Sequence, residues 1–351
     1  MMQTPHLDEP SSKQLSKTMD AQGVSGSGGI LGVLFLYDAI LHELVVFWGF
    51  TWRDFSMSVI PGSMYTLAAL RSLSPTPSPE VFLTSLARSI LYFLIFIYAF
   101  DLANQINGVF LTTLFRSILY FLIFIYAFDL ANQINGVAED RINKPDRPLS
   151  CGLVTLKGAY IRWYLTTGSL LGMAYAWGIP QWAAMWVVLT VYTSWFCGDK
   201  HWTTKNLLFM SIGSLSVLTA AWGLAAPITP HVWRSMLQLS AMFGVVASVQ
   251  DMRDAAGDEV AGRRTLPILL GSSFRWVMAS IIVLAPAVGW KLGFIYSTSK
   301  YVGVCGVALT MAMFYLAYRV VVGDDKNYHH GTYMVFTYIY CGCVAVPMLF
   351  P

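Results

Sequence analysis

The chain is short of charge. Only 12% of its 351 residues are Asp, Glu, Lys or Arg, about half the roughly 25% usual for a soluble globular domain, while 56% are hydrophobic. A fold exposed to water on all sides needs polar breaks in its apolar runs, and beyond the N-terminal tail this chain has few; the solvent for most of it is lipid. Basic runs interleaved with aromatics are missing as well, and the net charge is only +3, so no nucleic-acid partner is expected. Paired cysteines are lacking: the five (Cys151, Cys197, Cys305, Cys341, Cys343) show no C-x-x-C spacing and read as small packing residues. Residues 1–28, rich in Ser, Gln, Gly and charge, contain no apolar core of a signal peptide and read as a disordered cytosolic tail.

Ten apolar stretches lie between residues 55 and 350, and many are long enough to cross ~30 Å of hydrocarbon as a helix. The fold class that follows is all-α, a polytopic membrane helical bundle over 55–351. Before it, 29–54 carries Asp38, His42 and Glu43 at positions that can share a helical face, and reads as an interfacial amphipathic segment. One stretch occurs twice: residues 82–109 recur at 110–137, changed only at Ser85/Thr113 and Ala87/Phe115. Repeat arrays contain three or more diverged copies, so this pair reads as a tandem duplication of one helix, from an exon duplication or a gene-model error. Without the first copy nine helices remain. The loops after the second, fourth, sixth and eighth, with their flanks, then hold thirteen Lys and Arg between Arg141 and Lys326, against three (Arg234, Lys291, Lys300) in the opposite loops from the third helix onward. The basic face is the cytosolic one. If both copies are present, one is expected to be displaced, re-entrant or strained at the bilayer edge. The endoplasmic reticulum is the default membrane, and no feature marks a protein partner.

Two acidic constellations stand at helix ends on that face. In the first, Asn132, Gly136 and Asp140 recur every four residues, with Asp129 on the same stripe one turn deeper. Glu139 adjoins Asp140, and Arg141 to Pro148 follow. In the second, Asp251, Asp254 and Asp258 stand at i, i+3 and i+7. Three carboxylates on one stripe repel by a few tenths of a kcal/mol per neighbouring pair. A divalent cation relieves this, and hard oxygen ligands suit Mg²⁺ shared with substrate phosphates. Lys200, Lys205, Arg147, Arg263 and Arg264 leave helices on the same face, and would cradle a diphosphate. Lys144, Lys157 and Lys326 read as residues that only set orientation.

Together these residues resemble the UbiA superfamily of intramembrane prenyltransferases, nine-helix proteins with two Asp-rich motifs. The first family motif, N-D-x-x-D-x-x-x-D followed by I-N-x-P-x-R-P, is met by Asn132 and Asp140 and then by Ile142, Asn143, Pro145, Arg147 and Pro148, with Gln133 and Gly136 where the family has aspartates. The second, D-x-x-D-x-x-G-D followed by G-x-R-T-L-P, is met by Asp251, Asp254, Gly257 and Asp258 and then by Gly262, Arg264, Thr265, Leu266 and Pro267. The altered first motif resembles a fungal branch that includes UbiA-type terpene cyclases.

The resemblance implies an Mg²⁺-dependent enzyme acting on an isoprenyl diphosphate. Asn132, Asp140, Asp251 and Asp254 would be catalytic; Asn132, Glu139, Asp140, Asp251, Asp254 and Asp258 would hold the metal; Arg147, Lys200, Arg263, Arg264 and Tyr192 would hold the diphosphate. A cyclase converting farnesyl diphosphate to a sesquiterpene is expected first, and a transferase that prenylates an aromatic or quinone-precursor acceptor second. Trp163, Tyr164, Tyr175, Trp177, Trp186 and Trp195 are candidates to line the hydrocarbon pocket. An ion transporter would place its acids near the bilayer midplane in broken helices, whereas these cluster at helix ends.

Overall fold

The computed structural model describes residues 28–52, 54–72, 96–196, 198–291 and 300–349; the reading of a disordered tail falls almost wholly outside them. Among these residues twelve α-helices run in chain order: α1 (Gly28–Thr51), α2 (Phe55–Ser72), α3 (Phe96–Asn143), α4 (Leu156–Ala176), α5 (Pro180–Trp195), α6 (Ser211–Gly223), α7 (Pro230–Val246), α8 (Asp251–Val260), α9 (Leu266–Leu270), α10 (Phe274–Lys291), α11 (Lys300–Val322) and α12 (Lys326–Leu349). A π-helical segment, Thr203–Met210, leads into α6, and a 3₁₀ turn, Ala247–Gln250, joins α7 to α8. Among the described residues no strand forms, only an isolated bridge between His201 and Arg264.

The chain divides into two units, Met1–Trp48 and Gly49–Pro351. The first contains most of α1. The positions proposed to share its polar face, Asp38, His42 and Glu43, are exposed, and so are Tyr37, Ile40, Leu41, Leu44, Val45 and Trp48.

The second unit is a helical bundle with α6 at its centre. Nearly every residue of α6 from Gly213 to Trp222 is buried, because small side chains alternate with larger ones and let α2, α5 and α7 approach closely. Polar links replace the hydrophobic drive that lipid does not supply. Thr66 Oγ1 on α2 lies 2.8 Å from Ser117 Oγ on α3 and 2.9 Å from the carbonyl of Ala221 on α6. Gly62 is required where α2 meets α3, since a Cβ there would stand 2.5 Å from the buried Phe121 ring. Trp186 on α5 stacks on Phe124 of α3 at 4.1 Å and donates to its carbonyl at 3.2 Å.

Five described segments are long and apolar enough to cross a bilayer: Thr112–Ala138, Thr203–Gly223, Pro230–Val260, Leu266–Lys291 and Val302–Val322. The duplicated region shows no turn between its copies. Residues 96–109 of the first copy run straight into the second as one 48-residue helix, about 72 Å long at 1.5 Å per residue and more than twice the thickness of a hydrocarbon core. Residues 82–95 lie outside the described set.

Candidate active site

The C-terminal third of α3 delivers Asp129, Asn132, Gln133, Gly136 and Asp140 to one side of the bundle. The helix stops at Asn143 because Pro145 cannot continue it. A compact turn follows, with the Lys144 amide donating to the Asp140 carbonyl at 2.7 Å and the Arg147 amide to the Lys144 carbonyl at 3.1 Å. It folds Arg147 back over the helix end, where its Nη1 donates to both Asp140 oxygens at 2.8 and 2.7 Å. Both residues are buried. Burial opposes the charge of Arg147, and Asp140, with Asp54 and Asp129 nearby, more than offsets it, so the guanidinium holds its proton more firmly than usual.

The second stripe lies on α8. The 3₁₀ turn brings Asp251 to the first position of that helix with Ser248 beside it. Lys205 and Asn206, consecutive residues of the π segment, both reach it: Lys205 Nζ donates to Asp251 Oδ1 at 2.8 Å and to Asp258 Oδ2 at 3.4 Å, and Asn206 Nδ2 donates to Asp251 Oδ2 at 2.7 Å and to Ser248 Oγ at 2.8 Å. A π turn holds more residues than an α turn, so neighbouring side chains diverge less and can serve one target; such turns concentrate at functional sites. Arg263 spans Asp258 Oδ1 at 2.9 Å and Asp199 Oδ2 at 2.6 Å. Arg253 grips Asp254 through two bonds of 2.9 and 2.8 Å, and its guanidinium also lies 5.5 Å from the centre of the Tyr333 ring on α12.

Lys144 lies in the turn that follows α3. It interacts electrostatically with Asp254, Asp140 and Asp54, while burial and the Arg147 charge hold its ammonium below the ordinary lysine range. Lys144, read from the sequence as a residue that only sets orientation, is half-buried in the turn after α3. Asp54, between α1 and α2, also enters the site, where it interacts electrostatically with Arg147 and Lys144, and its sequence neighbourhood contains no motif that could have announced it.

Other expected residues stand in different surroundings. The Lys200 and Arg264 side chains are exposed, and it is their backbones that meet, the Arg264 amide donating to the Lys200 carbonyl at 2.7 Å. That pairing closes the loop before the π segment onto the loop after α8, and Lys205 and Arg263 are the cations that reach Asp251 and Asp258. Tyr192 is 37% exposed and covers Gly198, where a Cβ would lie 2.8 Å from its ring. Tyr164 and Tyr175, 64% and 79% exposed, lie on the outer stripe of α4 and do not line an internal pocket, whereas Trp186 is buried among Phe124, Phe128 and Phe209. The Glu139 side chain lies outside the described set. Among the described residues no three His, Cys, Asp or Glu side chains converge as a ready-made metal cage; each α8 aspartate is matched by Lys or Arg.

A family model described as the UbiA prenyltransferase family matches residues 89–339. The chain is 32% identical over 312 residues to a diterpene cyclase of Hericium erinaceus, covering 88% of this chain and 90% of that one. It is 30% identical over 312 residues to a polyprenyl transferase of the same fungus, covering 87% and 94%. Its fold is similar to that of a UbiA homolog from Archaeoglobus fulgidus bound to GPP and Mg²⁺, with a TM-score of 0.55 at 11% identity, covering 86% of this chain and 99% of that one. With its apolar helices and its paired acidic helix ends, the chain belongs to the UbiA family of integral membrane enzymes, as a terpene cyclase or prenyltransferase.

Proposed function

We propose that the chain ionises an isoprenyl diphosphate with Mg²⁺ and cyclises the resulting cation, releasing diphosphate. The observation that carries this reading is that cations hold the acids at both helix ends, Arg147 on Asp140 and Lys205 and Arg263 on Asp251 and Asp258. Lys144, Arg147, Lys205 and Arg263 form a basic lining that a diphosphate can engage, and positive charge placed where a leaving group becomes more anionic lowers the barrier to its departure.

The donors suit Mg²⁺. All are hard oxygens, and Asn206 Oδ1, buried beside Asp251, has no hydrogen-bond partner. Mg²⁺ binds through one or two carboxylates together with substrate phosphates, so a preformed three-acid cage is not needed. Asp251 and Asp254 would hold it, with Asn132, Glu139, Asp140 and Asp258 as the further ligands proposed from the motifs. Bound there, it would supply Lewis-acid neutralisation of the diphosphate.

With the leaving group so held, the C–O bond breaks heterolytically to an allylic cation and pyrophosphate. In a cyclase a distal alkene of the same chain then attacks that cation. Farnesyl diphosphate is the first substrate proposed. The diterpene-cyclase relative supports testing geranylgeranyl diphosphate beside it, and the polyprenyl transferase relative supports acceptor prenylation as the second reading. Membranes containing the protein are incubated with each diphosphate and Mg²⁺, without an acceptor. Cyclic hydrocarbon or alcohol plus pyrophosphate is the expected result; product that forms only after adding a phenolic acceptor would make the enzyme a transferase.

A further inference from the structure

Threonines inside the helices of this chain bond back to the carbonyl four residues earlier: Thr193 to Leu189 and Thr219 to Leu215, each at 2.7 Å, and Thr337 to Tyr333 at 3.1 Å. Thr167 on α4 and Thr190 on α5 do not. The Oγ1 atom of each is buried and has no hydrogen-bond partner, and Thr190 as a whole is 3% exposed. A hydroxyl kept from water without a partner is costly. In a helix the carbonyl four residues back is the ready alternative, so two hydroxyls that both forgo it point to a partner between them.

Both threonines line one small cavity where α3, α4 and α5 meet, together with Ala127, Trp163, Trp186 and Val187. The space it leaves for the centre of a water molecule is about 10 Å³, which admits one water and little more. Among the described residues none with a carboxylate, imidazole or thiol lines it, so a metal ion finds no ligand set there. An apolar occupant would leave both hydroxyls unpaired. Water meets both conditions, since a buried water is held by roughly two to four polar partners. Trp186 belongs to the cavity wall and to the aromatic cluster alike, stacking on Phe124 at 4.1 Å and meeting Phe128 and Phe209 at 5.4 and 5.6 Å between ring centres. Whatever fills the cavity therefore braces one side of that cluster.

We propose that this cavity is a binding site for a single ordered water that bridges Thr167 and Thr190. Each hydroxyl gives or takes one hydrogen bond, and the water ties α4 to α5 at a place where lipid supplies no hydrophobic drive for helices to associate. The bridge complements the direct link from Trp186 Nε1 to the Phe124 carbonyl, which ties α5 to α3. The site stands apart from the acidic motifs, because none of its lining residues belongs to the groups that hold diphosphate or Mg²⁺. It is the same site whether the enzyme is a cyclase or a transferase.

The test compares thermal midpoints of the full chain in detergent for Thr167→Val, Thr190→Val and the double variant. Valine keeps the shape of threonine and removes only the hydroxyl. With a bridging water, each single change strands the water and the opposite hydroxyl, and the midpoint should fall by roughly 2–4 °C. The double variant leaves an apolar cavity that stays dry, so its fall should be clearly smaller than the sum of the two single falls. Without a water, each single change replaces an unpaired hydroxyl by a methyl group that needs no partner, and the midpoint holds or rises. That sign overturns the proposal, and so do two losses that simply add. Should a valine variant fail to accumulate, a high-resolution experimental structure of the parent decides: an ordered peak about 2.7–3.2 Å from both Oγ1 atoms is expected, and a featureless cavity overturns the site. Turnover enters neither measurement, so a failure of the proposed function leaves this result standing.

Discussion

Asp251 and Asp254 carry the same charge three residues apart, yet their surroundings make them unequal. The Asp251 side chain is 1% exposed and is bound by both Lys205 and Asn206, whereas that of Asp254 is 24% exposed and paired with its neighbour Arg253. Removing one partner of a buried ion pair costs about 3–5 kcal/mol, while a partly exposed pair contributes about 1 kcal/mol or less. Asp251→Ala should therefore lower the thermal midpoint in detergent clearly and Asp254→Ala little. Both should lose Mg²⁺-dependent pyrophosphate release by about a hundredfold or more; intact turnover in both would count against the metal site. A second pair separates what the sequence could and could not reveal. Lys205→Ala should weaken turnover by at least about tenfold, because its ammonium joins Asp251 to Asp258, and exposed Lys200→Ala should stay within about twofold. The acid stripes were legible because spacings of three, four and seven residues are a property of the helix itself. The choice of Lys205 over Lys200, the half-burial of Lys144 and the arrival of Asp54 depend on how distant loops close, and no local spacing records that.

At the scale of elements, helices were readable wherever apolar runs ended at polar or proline-bearing turns, as Thr155 and Thr229 do by capping α4 and α7. The π segment was not. Nothing in Thr203–Met210 distinguishes it from an α-helical start, since the wider turn is set by the tertiary bonds of Lys205 and Asn206 rather than by propensity. The duplication was visible at once, but its consequence was not: α3 continues through the boundary between the copies, where a second crossing would need a turn. Ser117, Phe121 and Phe124, which pack α3 into the bundle, belong to the second copy. Deleting residues 82–109 joins Val81 to Phe110 and so restores the Val-Phe junction that Val81 makes with Phe82. The shortened chain should retain pyrophosphate release and product profile within about threefold of the parent. Loss of activity with normal membrane accumulation would show that the first copy contributes to the site.

For the whole molecule, the governing asymmetry is charge across the membrane. Counted with nine helices, the sequence would put thirteen Lys and Arg on the face that carries both acidic motifs, against three opposite, and basic loops are retained on the cytosolic side during insertion. Arg147 and Lys205, two of the thirteen, are ion-paired within the site; on the proposed function one distribution would both orient the protein and supply its anion-binding lining. Orientation is testable through Cys151. Its thiol is free and exposed in the turn that follows Arg147, whereas Cys343 is buried and Cys305 and Cys341 are half-buried within α11 and α12. In a variant keeping Cys151 as its sole cysteine, a membrane-impermeant maleimide added to sealed microsomes with the cytosolic face outward should label the protein before detergent is added. Bound substrate diphosphate with Mg²⁺ should slow that labelling, because Cys151 donates to the Pro148 carbonyl directly beside Arg147. Labelling only after detergent would place the motifs on the lumenal face, and would require the diphosphate to be supplied from that side.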